Sequence, residues 1–287
     1  MTRDAILAER LAYWYGDLMA VDHISFNVAE GEIVSFLGPN GAGKTTAVKM
    51  LTGQLRPKSG KAQLLGMDVA RDIQRVQQEI GVCFEFTNVY EQMSALENLR
   101  LFARLFDVRD FDAYALLNRV GLAGREKDRV EGYSKGMKQR LMIARSLVNR
   151  PRVLFLDEPT AGLDPTSAES IRGIILEERD RGATVFLTTH DMLEADKLSD
   201  RVAFMNQGKI VAMDTPHKLK LQYGRRSLKV EVSANGGLEK REIALDKPET
   251  PEAVRELFAR EKILTVHSEE ATLEDIFIRM TGRGLDE

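Results

Sequence analysis

Apolar positions along the chain follow three patterns, and each predicts a different kind of element. Compact apolar runs at residues 33–37, 80–84, 153–157 and 183–189 read as strands buried on both faces. Alternation of apolar and polar residues at 24–28, 228–232 and 241–245 reads as strands with one solvated face, and 61–65 and 263–266 read as short strands. Residues 202–205 and 210–213, joined through 206–209, read as a hairpin. Helical spacing covers 45–55, 73–79, 166–181 and 251–262. From 86 to 149 the pattern is helical throughout: Met93, Leu96, Leu99, Leu101, Phe102 and Leu105 make one apolar face, and Tyr114, Leu116, Leu117 and Val120 another. A further helix opens at Ser134 and runs through Leu147, with Pro151 just past its end, and Thr272 to Asp275 has the form of a capping box. The helical stretch lies between two β-rich regions, so it reads as an inserted subdomain at about 86–150. The character changes again near residue 220.

Composition narrows the setting. The 287 residues carry a net charge of -3, which gives no electrostatic reason to expect nucleic acid as the main partner. One cysteine, Cys83, excludes an internal disulfide framework and suits a reducing compartment. No apolar run approaches the roughly 18 residues that span a bilayer. The first seven residues are too short and too acidic for a secretory signal. A cytosolic protein is expected, with any membrane role exercised through a partner.

Two stretches carry chemistry. Gly38, Pro39, Asn40, Gly41, Ala42, Gly43, Lys44 and Thr45 fit the phosphate-loop pattern G-x-x-x-x-G-K-[ST], and Thr46 follows. A buried strand precedes the loop and a helix follows it, the context such a loop needs. Glycines let backbone N–H groups curl around phosphate oxygens, and the helix N-terminus adds partial positive charge. Lys44 would reach the β- and γ-phosphates and Thr45 would ligate Mg²⁺. Residues 153–156 then lead directly into Asp157 and Glu158. Asp157 would hold Mg²⁺ through water, and Glu158 would orient and deprotonate an attacking water. Taken singly, a glycine turn or two acids at a strand end would be structural; their succession points to a nucleotide triphosphatase.

The segment from Asp157 to Asp164, preceded by Tyr133-Ser-Lys-Gly-Met-Lys-Gln-Arg140 and followed by His190, resembles the ATP-binding subunit of an ABC transporter. The likeness covers roughly residues 5–215. It implies an α/β fold: a P-loop NTPase (RecA-like) core with an antiparallel β subdomain, the inserted helical subdomain and a small C-terminal α+β appendage. Residues 1–218 would be the ATPase domain and 219–287 the accessory one. It also implies roles. Tyr15 matches the aromatic that stacks on adenine, with Tyr13 as the alternative. Ser134, Lys135, Gly136 and Met137 fall in the signature that faces the γ-phosphate held by a second subunit. Asp164 lies in the loop between the two sites, and His190 matches the switch histidine, joining Glu158 and Lys44 as catalytic.

Glu85 stands where the family usually has glutamine, and the resemblance places it by the metal, beside Thr45 and Asp157. The signature departs from Leu-Ser-Gly-Gly-Gln at Tyr133, Lys135 and Met137. These departures and the tail resemble the branch that serves exporters of drugs, antibiotics or sodium. The resemblance thus implies ATP and Mg²⁺, a homodimer, and a membrane permease at the cytoplasmic face of the membrane. Alternatives are the ATPase of an importer, or a soluble ATPase acting on nucleic acid or the ribosome, which typically carries two cassettes or a coiled coil.

Overall fold

The computed structural model describes residues 3–224, 227–234, 237–245, 247–269, 271–282 and 284; the outermost ends of the two expected domains lie outside them. A long hairpin opens the chain, β1 (Asp4–Tyr15) and β2 (Leu18–Ala29), before β3 (Ile33–Leu37) and α1 (Lys44–Leu51). Next come β4 (Ser59–Leu64), β5 (Met67–Asp68), α2 (Ile73–Glu79) and β6 (Ile80–Cys83). Helices α3 (Ala95–Leu105), α4 (Ala113–Arg119) and α5 (Lys135–Ser146) form the inserted subdomain. The chain then returns through β7 (Val153–Asp157), α6 (Pro165–Asp180), β8 (Thr184–Thr189), α7 (Met192–Leu198), β9 (Arg201–Asn206) and β10 (Lys209–Asp214).

The central sheet has the order β10-β9-β3-β8-β7-β6. From β9 to β6 its strands are parallel. Every residue of β3, β7 and β8 is buried, as their continuous apolar runs predict. Period-two alternation sends the side chains of β7 into two different cores. Val153 and Phe155 join Phe26, Phe36 and Phe186 under the antiparallel sheet β2-β1-β4-β5, where the Phe36 and Phe186 rings lie 4.6 Å apart. Leu154 and Leu156 pack with Leu99, Leu117, Leu141, Ile143 and Ile171 of the helices on the other face.

Several boundaries differ from the sequence reading for local reasons. Helix α1 stops at Leu51, short of 55, because the Thr52 hydroxyl donates to Val48 O and Gly53 turns left-handed. Helix α3 starts at Ala95, so Met93 lies outside it; Ser94 and Glu97 form a reciprocal cap there. Of its expected apolar face Leu105 is exposed, while Asn98 is fully buried, bonded to Tyr90 and Ser94.

The chain divides into two compact units between Met213 and Asp214. This break falls ahead of the 218/219 junction read from the sequence, because α8 (Pro216–Tyr223) packs with α10 (Leu273–Thr281). The second unit also holds β11 (Ser227–Ala234), β12 (Gly237–Ala244), α9 (Thr250–Arg260) and β13 (Lys262–Glu269). Its antiparallel sheet has β11 in the centre, where Val230 and Val232 are buried. Thr272 and Asp275 make the reciprocal cap that opens α10.

Candidate functional site

Parallel sheets bind ligands beyond the carboxyl ends of their strands, and the motif residues gather there. The loop after β3 leads into α1 through Gly41 (φ 80°) and Gly43 (φ 102°). A Cβ on Gly43 would lie 2.2 Å from the Ala20 carbonyl oxygen, and one on Gly38 would lie 2.2 Å from that of Met205. Hydrogen is therefore the only side chain that both sites admit without moving backbone. Lys44 is 6% exposed and donates to the carbonyl oxygens of Gly38 and Pro39. Its Nζ lies 3.5 Å from Glu158 Oε1. Burial lowers the pKa of this ammonium, with the charges of Glu158, Asp157 and Glu85 acting against it.

At the end of β7, Asp157 accepts from the Thr45 hydroxyl at 3.2 Å and from the Thr188 hydroxyl. Both it and Glu158 are buried, at 1% and 7% exposure. Glu158 has φ 51°, a left-handed backbone that a non-glycine residue adopts at a cost of about 1–3 kcal/mol. The conformation is held from β8 and beyond. Glu158 N–H donates to Thr188 O at 3.0 Å, and its Oε2 contacts His190 Nδ1 at 2.8 Å and accepts from His190 N–H at 3.3 Å. Oε1 is buried and has no hydrogen-bond partner. One carboxylate oxygen is thus fixed by the histidine while the other lies at ion-pair distance from the Lys44 ammonium, so both oxygens of the candidate general base are held in place.

Lys44 and Glu158 line a cleft of about 240 Å³ together with residues 39–46, Tyr15 and Glu85. Tyr15 is 46% exposed, with Tyr13 packed edge-on behind it at a ring distance of 4.9 Å. Tyr13 rests against the core, so Tyr15 is the ring that the cleft presents. Leu18, Met19 and Ala20, at the start of β2, also line the cleft and were missed by the sequence reading. Only their spacing from Tyr15 hinted at it.

Among the described residues, no three His, Cys, Asp or Glu side chains gather as a metal cluster. Thr45 and Asp157 nevertheless bring two hard oxygens together. That suits Mg²⁺, which takes one or two protein ligands and fills its other positions with phosphate and water.

The signature residues do not line this cleft. Ser134 caps α5 by accepting from Met137 N–H at 3.2 Å, and Ser134 and Lys135 are exposed. The Met137 side chain packs instead on the core of the helical subdomain. Gly136 is buried against α6, where a Cβ would stand 2.9 Å from Ser167 Oγ. Ser167 N–H in turn donates to Asp164, the cap of α6, at 2.9 Å, and the Ser167 hydroxyl together with this N–H holds the Asp164 carboxyl below its ordinary value. The signature and the Asp164 loop therefore form one connected surface.

A profile of the ABC transporter family matches residues 21–161. The fluoroquinolones export ATP-binding protein of Mycobacterium tuberculosis is 46% identical over 93% of this chain and 89% of its own. The chain belongs to the ABC transporter ATP-binding family. It is an ATPase whose hydrolysis is coupled to transport. The daunorubicin resistance ATP-binding protein DrrA2 of Streptomyces coeruleorubidus is 36% identical over 98% of this chain and 91% of its own. The Nod factor export ATP-binding protein I of Rhizobium etli is 35% identical over 95% and 92%. Among solved structures, the ATP-binding subunit of an ABC transporter superposes with a TM-score of 0.70 and 27% identity, over 76% of this chain and 93% of that one. A dimeric ATP-binding cassette in a post-hydrolysis state, bound to ADP and phosphate, gives 0.67 and 25% identity, over 73% and 98%.

Proposed function

We propose that this ABC ATPase energises export through a separate membrane permease, by ATP-driven closure of two copies and reopening on hydrolysis. The observation that carries the export reading is the 46% identity to an export ATP-binding protein across both compact units, tail included. The distribution of the site supports closure. The cleft holds Lys44, Glu158 and Tyr15, whereas Ser134 faces outward at a helix N-terminus suited to an anion presented by a second copy.

In this reading Tyr15 stacks on the adenine, residues 38–46 wrap the phosphates through their N–H groups, and Lys44 neutralises the outer two. Glu158 takes the proton of the attacking water, and His190 keeps its carboxylate aimed. Thr45 and Asp157 would hold Mg²⁺, with Glu85 at the rim; the ion supplies charge neutralisation to the transferring phosphoryl group. Ser134 and Gly136 of the second copy, with the Asp164 loop, complete the site; Lys135 flanks it, and the Met137 N–H fixes the Ser134 hydroxyl. None of the described helices is long and apolar enough to cross a membrane; in this reading the separate permease supplies the path. Phe86 (80% exposed) and Tyr90, just after Glu85, adjoin in sequence the groove lined by Phe84, Asn88, Phe102 and Leu105. An apolar permease segment would cover them at the cytoplasmic face of the membrane.

The test is Glu158→Gln with ATP. A stable dimer on size exclusion with negligible turnover is expected; a monomer that still hydrolyses ATP would refute both assignments.

A further inference from the structure

The cleft and the side chains bonded to it use Lys44, Asp157, Glu158 and His190 but leave a buried carboxyl without a part. Glu194 lies in the first turn of α7, the helix that begins just after His190, and is 1% exposed. Its Oε1 accepts from the Thr160 hydroxyl at 2.6 Å, and its Oε2 is buried with no hydrogen-bond partner. Burial pushes the pKa of this carboxyl up, against the Thr160 and Thr189 hydroxyls. An acid with an unsatisfied buried oxygen is a poor choice for stability alone, since an apolar side chain would fill the space without that penalty.

Thr160 belongs to the loop that joins Glu158 to Asp164. Two backbone bonds fold this loop, Ala161 N–H to Glu158 O and Leu163 N–H to Thr160 O, each 3.2 Å. On its other side the buried Gln139, from the signature helix α5, donates to Pro159 O at 3.0 Å. The loop is therefore gripped by two helices: one begins beside His190, the other at Ser134.

We propose that Glu194 is a positioning residue for hydrolysis: through Thr160 it locks the turn bearing His190 against the loop bearing Glu158 and Asp164. The proposal rests on the reading of Glu158 and His190 as the hydrolytic pair. Their contact joins residues 32 apart in sequence and depends on the left-handed backbone of Glu158. Proton transfer tolerates only small errors in that geometry. Glu194 does not line the cleft, so its loss acts on the chemical step and not on ATP binding.

The experiment is steady-state ATPase kinetics on the full chain for Glu194→Ala, Glu194→Gln, Thr160→Val and the Ala/Val double variant, with Glu158→Gln alongside. Glu194→Ala and Thr160→Val should each lower kcat about 10- to 100-fold with KM for ATP within about twofold. Glu194→Gln keeps an acceptor oxygen and should recover most of the loss. The double variant should be no slower than the worse single one, the signature of a shared contact. Losses that multiply, a change confined to KM, or a Gln variant as slow as Ala would overturn the proposal. So would unchanged kcat in Thr160→Val, the variant that keeps the side chain's shape and the Glu194 carboxyl but removes the hydroxyl that donates to it. Full turnover by Glu158→Gln would bring down the reading of the pair itself, an outcome visible separately from those four.

Discussion

The cleft and the signature surface of this chain, the two halves of one site in the proposed dimer, are built in opposite ways. In the cleft, Lys44, Asp157 and Glu158 are all less than 10% exposed and partly bonded to one another. At the signature, Ser134 and Lys135 are exposed, and the local bonds only shape the end of α5. Buried charges need partners, so the cleft residues hold each other in place before any phosphate arrives. The exposed helix end has no such network and offers its hydroxyl and N–H groups outward. One half is organised for chemistry, the other for meeting a surface. Substitutions in the first should therefore fail within one chain, and those in the second should be rescued by another chain.

Removing the Lys44 charge should have the largest effect. Lys44→Ala is expected to lower kcat/KM by about a thousandfold, the upper range for one preorganised electrostatic donor. Circular dichroism would show that the fold persists. The lowered pKa gives a second readout. Between the depressed folded value and the ordinary 10.5, the unfolded chain binds more protons, so the stability penalty of this group is full at low pH and fades as pH rises through that window. Nucleotide binding should move the other way. Affinity for ATP should weaken on the alkaline side before pH 10.5, and an affinity flat to that point would contradict a buried, charge-bearing Lys44.

Gly136→Val attacks the other half. Its side chain would press on Ser167 and displace the turn under Ser134, lowering turnover by about a hundredfold. Mixing this variant with Glu158→Gln is the sharper measurement. In a two-fold dimer, each heterodimer has one site with both halves intact. An equal mixture should then recover about a quarter of wild-type turnover. No recovery on mixing would mean that the signature acts on its own chain's cleft.

The same contrast governs what could be read from the sequence. The phosphate loop and the β7 acids were legible because their demands are local: glycine where the backbone turns left-handed, an apolar run where a strand is buried. Ser134 was legible as a helix cap for the same reason. Thr188, Gln139, Thr160 and Glu194 were not, because each acts on a segment 20 or more residues away, across strands whose pairing no local pattern reveals. The start of β2 at Leu18 to Ala20 escaped because the exposed Leu18 and Met19 look like ordinary surface until β1 and β2 are paired. Glu158 looked like one acid of two; its left-handed backbone and its bond to His190 needed the register of β7 on β8.

Tyr15 tests the boundary of the buried half, since its exposed ring lines the same cleft. Stacking on a base is worth about 1–3 kcal/mol, so Tyr15→Ala should raise KM for ATP roughly tenfold while kcat stays near wild type. Tyr15→Trp should remain within about twofold of wild type. If Tyr13→Ala raised KM and Tyr15→Ala did not, the assignment of the stacking ring would move to Tyr13.

Glu85 should give the smallest effect and the finest test, because it is a charged residue of the cleft that remains exposed. A carboxylate here helps to attract Mg²⁺ but repels the phosphates, so its net effect on turnover is small while its effect on metal dependence keeps one sign. A unit charge about 10 Å from a divalent ion in a water-like medium is worth roughly 0.8 kcal/mol, or about fourfold in affinity. Glu85→Gln should therefore raise the Mg²⁺ concentration for half-maximal turnover about fourfold, with kcat at saturating Mg²⁺ within about twofold. Added salt should shrink that difference, since an exposed charge is screened where the buried ones are not. If Glu85→Gln left the Mg²⁺ dependence unchanged at low salt, Glu85 would lie outside the metal's field, and the cleft's metal chemistry would rest on Thr45 and Asp157 alone.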